Sequence, residues 1–140
     1  MKKNLILIEG IPGSGKSTFA RFLANQFERN GIPCGLYLET TYDHPIIEFT
    51  GHENNEVFLE AYDDRWSKFL DHFPKEEVVV MESAFLQSPM VHLLHKEAER
   101  ELIKSLVHKV SDRLSKENCN LIYFYQKDAL AAINKMIEQR

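Results

Sequence analysis

The residues Gly10-Ile11-Pro12-Gly13-Ser14-Gly15-Lys16-Ser17 satisfy the pattern G-x-x-x-x-G-K-[ST] in full, and Thr18 follows. Glycines in such a run let the backbone curl so that several N–H groups converge on phosphate oxygens. The lysine reaches the β- and γ-phosphates, and the hydroxyl after it ligates Mg²⁺. The expected ligands are therefore ATP and Mg²⁺. Gly10, Ile11, Pro12, Gly13, Ser14, Gly15, Lys16, Ser17 and Thr18 are candidate nucleotide contacts. Lys16 doubles as a catalytic candidate and Ser17 as a metal ligand.

A chance Gly-rich turn would also match the pattern, so the flanking elements decide. Asn4 to Glu9 (NLILIE) is a short, nearly continuous apolar run. That is the signature of a strand buried on both faces. From Lys16 to about Asn30, Phe19, Ala20, Phe22, Leu23 and Phe27 recur at helical spacing, and Gly31 and Pro33 close the helix. Strand, Gly-rich turn and helix stand in the order the chemistry demands.

The same patterning continues. Gly35 to Glu39 is a second strand, and Thr40 to Asn55 is a long polar loop broken by Pro45 and Gly51. Asn54 or Asn55 caps a helix bearing Val57, Phe58, Ala61, Tyr62, Phe69, Leu70 and Phe73, which Pro74 ends. Val78 to Met81 is a third strand. One long helix then carries Val91, Leu94, Ala98, Leu102, Leu106, Val110 and Leu114. Asn120 to Tyr125 is a fourth strand, and Ala129, Leu130, Ile133, Met136 and Ile137 stripe a final helix. Alternating strands and helices predict an α/β three-layer sandwich around a parallel sheet of at least four strands.

In open α/β sheets, ligands gather at the carboxyl ends of the strands. Glu82 ends the third strand (VVVMES), where a carboxylate holds Mg²⁺, usually through water. Glu39 ends the second strand and can accept a proton from an acceptor hydroxyl. A glutamate merely capping a turn, or solvated in a loop, is the bland alternative for each. Guanine-nucleotide switching is disfavoured. Gln126-Lys127-Asp128 lacks the Asn of Asn-Lys-x-Asp and carries its Asp one place early, and no Asp-x-x-Gly follows the third strand.

Ile8-Glu9-Gly10 through Thr18, a strand ending in Glu39, and Glu82-Ser83 together resemble the deoxynucleoside kinase and thymidylate kinase group of P-loop kinases. In those deoxynucleoside kinases a glutamate ending the second strand is the base for the sugar hydroxyl, which the resemblance transfers to Glu39. The third strand of the group ends Glu-Arg-Ser, whereas Glu82-Ser83 here has no Arg between. Gln87 falls where such kinases place a base-reading Gln. The function expected is transfer of the γ-phosphoryl of ATP to a hydroxyl or phosphate of a small molecule, including a nucleoside or nucleotide. The alternative is a nucleotide-binding or ATPase module without transferase activity.

Other polar and aromatic residues have simpler expected roles. His92, His95 and Glu99 share a helical spacing that reads as a solvated face rather than a metal site. His44 sits in the loop after the second strand, where ordinary loop polarity explains it and substrate contact is the alternative. Arg65 and Arg100 match anions by geometry but have Asp63, Asp64, Glu97 and Glu101 at ion-pairing distance in sequence. Trp66 and Tyr62 could stack on a base, with core packing the default for aromatics in a helical stripe, although Trp66 lies off the main stripe.

The 140-residue chain is 44% hydrophobic with a net charge of -4, which fits one globular domain over residues 1–140. That balance disfavours strong nucleic-acid or anionic-membrane binding. A small-molecule acceptor is the expected partner, and a homodimer stays open. Cys34 and Cys119 fit no metal or redox spacing and read as separate reduced thiols. Glu9 interrupts the first apolar run too early for a signal peptide, and no apolar segment approaches the roughly 20 residues of a bilayer span. The expected location is cytoplasmic. The related kinases add a fifth strand after an Arg-rich lid, so the chain is expected to be either a minimal version of the domain or, the favoured reading, the front portion of a longer kinase.

Overall fold

The computed structural model describes residues 4–48, 54–73 and 77–139. Gly51 and Pro74, expected as breakers, lie outside them. The elements run β1 (Asn4–Gly10), α1 (Lys16–Arg29), β2 (Cys34–Tyr37), α2 (Asn55–Asp71) and β3 (Val78–Glu82). They continue through α3 (Gln87–His95), α4 (Arg100–Leu114), β4 (Cys119–Phe124) and α5 (Ala129–Glu138). The strands form one sheet in the order β2-β3-β1-β4, every pairing parallel. The α/β three-layer architecture and the four strands are as the sequence predicts.

Alternation along the central strands builds two cores. Leu5 and Leu7 of β1, with Val79 and Met81 of β3, face a cluster completed by α2, α3 and α4. Ile6 and Ile8, with Val78 and Val80, face the opposite cluster, which α1 covers. Successive strand side chains point to opposite faces, so an unbroken apolar run is what a doubly covered strand requires. The register pairs Ile8 with Glu82 and Gly10 with Phe124, which brings the ends of β3 and β4 beside the Gly-rich turn.

Helix ends follow local chemistry. Asn54 caps α2, its side chain accepting from the N–H groups of Glu56 and Val57. At the end of α1, Ile32 N–H bonds Phe27 O and Gly31 N–H bonds Glu28 O, with Gly31 at φ 75°. That double closure needs a left-handed residue, which glycine supplies without strain.

The same closure corrects the long helix expected after β3. Ala98 N–H bonds Leu93 O and Glu97 N–H bonds Leu94 O, with Glu97 at φ 52°. The chain therefore breaks into α3 and α4, and Ala98 turns onto the core. Val91 and Leu94 are exposed as a result, while Leu93 is fully buried. Phe22, Val57, Leu130 and Ile137 are also exposed, despite their helical spacing. Cys34 and Cys119 are free thiols.

Trp66 is not a base-stacking residue. It is 0% exposed, in line with Phe58, Tyr62 and Leu70 on the buried side of α2. Its ring meets Tyr62 and Phe69 edge-on, at centroid distances of 6.4 and 6.2 Å. The Tyr62 hydroxyl donates to Ala84 O and Phe85 O, tying α2 to the turn after β3. Trp66→Ala should leave a large cavity and cost about 3–5 kcal/mol of stability. Chemical denaturation followed by far-UV circular dichroism measures that loss.

Candidate nucleotide and acceptor site

The site is built from three strand ends. The turn from β1 to α1 carries Gly10 to Gly15. Glu39 follows β2, and Glu82 closes β3. A cleft of about 370 Å³ is lined by Pro12, Gly13, Gly15, Lys16, Ser17 and Thr18 from the turn, and by Glu39, Glu82 and Gln87. The structure thus brings together Lys16, Ser17, Glu39 and Glu82 as the sequence places them, with Gln87, the residue singled out by the resemblance, in the same lining. Gly10, Ile11 and Ser14 form the loop behind that lining.

The turn fits a polyphosphate. Gly15 precedes α1 with no side-chain cap, and the first turn holds no acidic residue. The first helical N–H groups and the positive end of the helix are therefore left for an anion. Gly10 sits at φ 149°, and a Cβ there would meet Phe124 O at 2.9 Å. Only glycine lets β1 turn this close to β4. The Ser14 hydroxyl is buried inside the loop without a partner. Lys16 is only 4% exposed, and its ammonium donates to Ile11 O at 2.8 Å. Burial lowers its pKa, while the charges of Glu82, Glu39 and Glu9 pull it back up.

The carboxylates are held by their neighbours. Glu82 accepts from the Glu39 backbone N–H at 3.0 Å and from the Ser83 hydroxyl at 2.8 Å. Glu82 thereby fixes where the chain leaves β2. Glu39 is exposed to the cleft and accepts from the Ser88 hydroxyl at 3.1 Å. Ser17 and Glu82 both line the cleft, so a hydroxyl and a carboxylate are available to hold Mg²⁺ beside a bound polyphosphate.

Glu9 is a residue whose function the sequence left unassigned. It is 0% exposed and accepts from the N–H groups of Phe85 at 2.8 Å and Gln87 at 3.0 Å. Burial raises its pKa, against those backbone donors and the Lys16 charge, which lower it. Its place inside an apolar run was the one available signal, because an acid there needs buried partners.

The remaining candidates separate. Arg65 does not pair with Asp63, Asp64, Glu97 or Glu101 but reaches Glu48 in the loop after β2. Asp63 instead receives Arg113 in a two-pronged pair at 2.9–3.1 Å. Arg100 opens α4 and does not line the cleft. His92 is not solvated as expected. Its ring packs on Phe58 at 4.3 Å between centroids. Among the described residues, no group of three or more His, Cys, Asp or Glu is placed to hold a metal by itself.

The sequence model of the family described as "Chromatin associated protein KTI12" matches residues 3–122. The chain belongs to this family. No curated protein matches it in sequence. Its fold is similar to the crystal structure of APE1195, at 15% identity and a TM-score of 0.53, over 99% of this chain and 71% of that one. The APS kinase CysC of Mycobacterium tuberculosis is similar over 91% and 81%, at 14% identity and a TM-score of 0.52. The thymidylate kinase of Candida albicans is similar over 99% and 67%, at 16% identity and a TM-score of 0.53. This member of the KTI12 family therefore has a P-loop kinase fold.

His44 is buried at 5% exposure, edge-on to Tyr37 at 5.6 Å between centroids. Its Nδ1 accepts from the N–H groups of Ile46 at 3.0 Å and Ile47 at 2.9 Å. Burial, with Arg65 adding to it against Glu82, holds its pKa down to about 4. The folded chain thus keeps this ring neutral, while the unfolded chain protonates it near pH 6.5. The unfolded state binds more protons between those values, so stability falls as pH drops from about 6.5 to 4. Unfolding free energies from urea titrations at pH 7 and pH 5 should differ by about 1–2 kcal/mol. His44→Asn should shrink that difference.

Proposed function

We propose that the chain binds ATP with Mg²⁺ at Gly10 to Thr18 and transfers the γ-phosphoryl group to a small-molecule acceptor. The observation that carries this reading is the single cleft shared by the Gly-rich turn, Lys16, Ser17, Glu39 and Glu82. The kinase names of two structures of similar fold are consistent with it.

When bound, ATP would supply the transferable phosphoryl group and Mg²⁺ would offset the charge of its phosphates. Lys16 neutralises charge on the transferred group. Ser17 and Glu82 would hold the metal. Glu39, steadied by Ser88, takes the proton of the acceptor hydroxyl as its oxygen bonds to the γ-phosphorus. The bond from that phosphorus to the bridging oxygen breaks, and ADP leaves with the electron pair. Such catalysis is mostly positioning and electrostatics.

A second reading has one observation in its favour. The family is described as chromatin-associated, which suits a nucleotide-binding or ATPase module working through a macromolecular partner. ADP release measured with and without acceptors separates the two. Acceptor-dependent release supports transfer, and unstimulated hydrolysis supports the module.

Lys16→Ala should cut acceptor-dependent ADP release by about a hundredfold or more. Its circular dichroism spectrum should stay unchanged. Undiminished turnover in that variant defeats the mechanism.

A further inference from the structure

β4 is an edge strand. Among the described residues it pairs with β1 on one side, and its other side is open. Soluble proteins ordinarily blunt such an edge with charges, a proline or a bulge. Residues 119–126 (CNLIYFYQ) contain no charge, no proline and no glycine. Leu121, Tyr123 and Tyr125, at alternate positions, are 50%, 53% and 77% exposed. The helix that follows leaves them open. α5 contributes no buried residue, and its Met136 lies against Gly13 of the Gly-rich turn.

The residues flanking the edge say what fits it. Lys116-Glu117 stands just before the uncharged stretch, and Lys127-Asp128 just after it. A second, antiparallel copy of the edge, related by a two-fold axis at Ile122, sets Lys116 opposite Asp128 and Glu117 opposite Lys127. Each pair then forms twice, once on either side of the axis. Leu121 of each copy faces Tyr123 of the other, an aliphatic–aromatic cross-strand pair. Side-chain alternation allows other registers only in steps of two residues. One step either way sets the four charges opposite Gln126 and Tyr125, or Asn118 and Cys119, instead of opposite one another. Among the described residues, Lys116 and Lys127 make no ion pair. Asp128 spends one carboxylate oxygen capping α5 and keeps the other. Charge and apolar pairing therefore agree on one register, and the edge is complementary to itself.

We propose that this edge docks a second copy of the chain, the two β4 strands pairing antiparallel about Ile122 so that two sheets become one. The proposal is independent of the phosphoryl-transfer reading above.

Sedimentation equilibrium of the 140-residue chain tests it. The mass should rise from 16.3 kDa toward twice that value as concentration increases. Tyr123→Lys puts a charge on the exposed edge and should weaken association about tenfold or more, with an unchanged circular dichroism spectrum. Disulfide trapping reads the register, in a background of Cys34→Ser and Cys119→Ser. Chains carrying Leu121→Cys and chains carrying Tyr123→Cys should cross-link when mixed and oxidised, because opposed residues lie about 4.5–5.5 Å apart at Cα. Neither variant should cross-link alone, since its two cysteines then sit diagonally, about 7–8 Å apart. A chain that stays monomeric overturns the proposal and leaves the edge to an occupant of another kind. A dimer indifferent to Tyr123→Lys overturns it as well. So does cross-linking of either variant alone, or none in the mixture.

Discussion

The buried carboxylate of Glu9 is the constraint on which the geometry of the cleft depends. It lies at the end of β1, one residue before the Gly-rich turn, and receives the N–H groups of Phe85 and Gln87. A carboxylate taken out of water without partners costs several kcal/mol, so the turn after β3 must stay where those donors meet it. That turn carries Ser83, bonded to Glu82, and leads to Ser88, bonded to Glu39. One side chain from β1 therefore sets the frame for the proposed metal ligand and the proposed base. The Tyr62 hydroxyl holds the same turn from the other side, through Ala84 O and Phe85 O.

Much of the fold was legible because the central strands are covered on both faces. Burial on two sides demands continuous apolar runs, and NLILI and VVVM are such runs. Helix ends were legible only where a special residue marked them. Gly31 and Glu97 perform the same left-handed closure, after α1 and after α3. Glycine announces that conformation, whereas glutamate does not, so the break between α3 and α4 went unread. The strain at Glu97 is tolerated because Ala98 then packs on the core. Trp66 shows the opposite error. It belongs to the stripe Phe58, Tyr62, Trp66, Leu70 at four-residue spacing, but neighbouring apolar residues such as Val57 suggested a different face.

The cleft was readable to the extent that its residues come from a contiguous motif or from strand ends. Gly10 to Thr18 is one stretch, and Glu39 and Glu82 reach it because parallel strands align their carboxyl ends. The supporting bonds were hidden, because they span long separations in sequence. Glu82 meets the Glu39 N–H across 43 residues, and Glu9 meets Gln87 across 78. No local pattern encodes such pairs. Arg65 shows how a local rule fails here. Acids lie near it in sequence, yet it reaches Glu48 because the loop after β2 folds back over α2.

The charges around Lys16 limit how the cleft can work. Glu82, Glu39 and Glu9 all act on a single buried ammonium, which is turned onto the carbonyl of Ile11. In a site of low effective dielectric, a triphosphate entering beside these carboxylates faces repulsion that one lysine does not offset. The uncapped start of α1 offsets part of it, with roughly half an elementary charge at the helix end. A divalent cation held at Ser17 and Glu82 would supply the remainder and turn Glu82 from a repulsive neighbour into a ligand. On the proposed function, binding of nucleotide and of metal would thus be coupled by the charge already built into the cleft. The acidic loop after β2 extends the same field outward, so the nucleotide side is neutralised from the helix end while the opposite side stays negative.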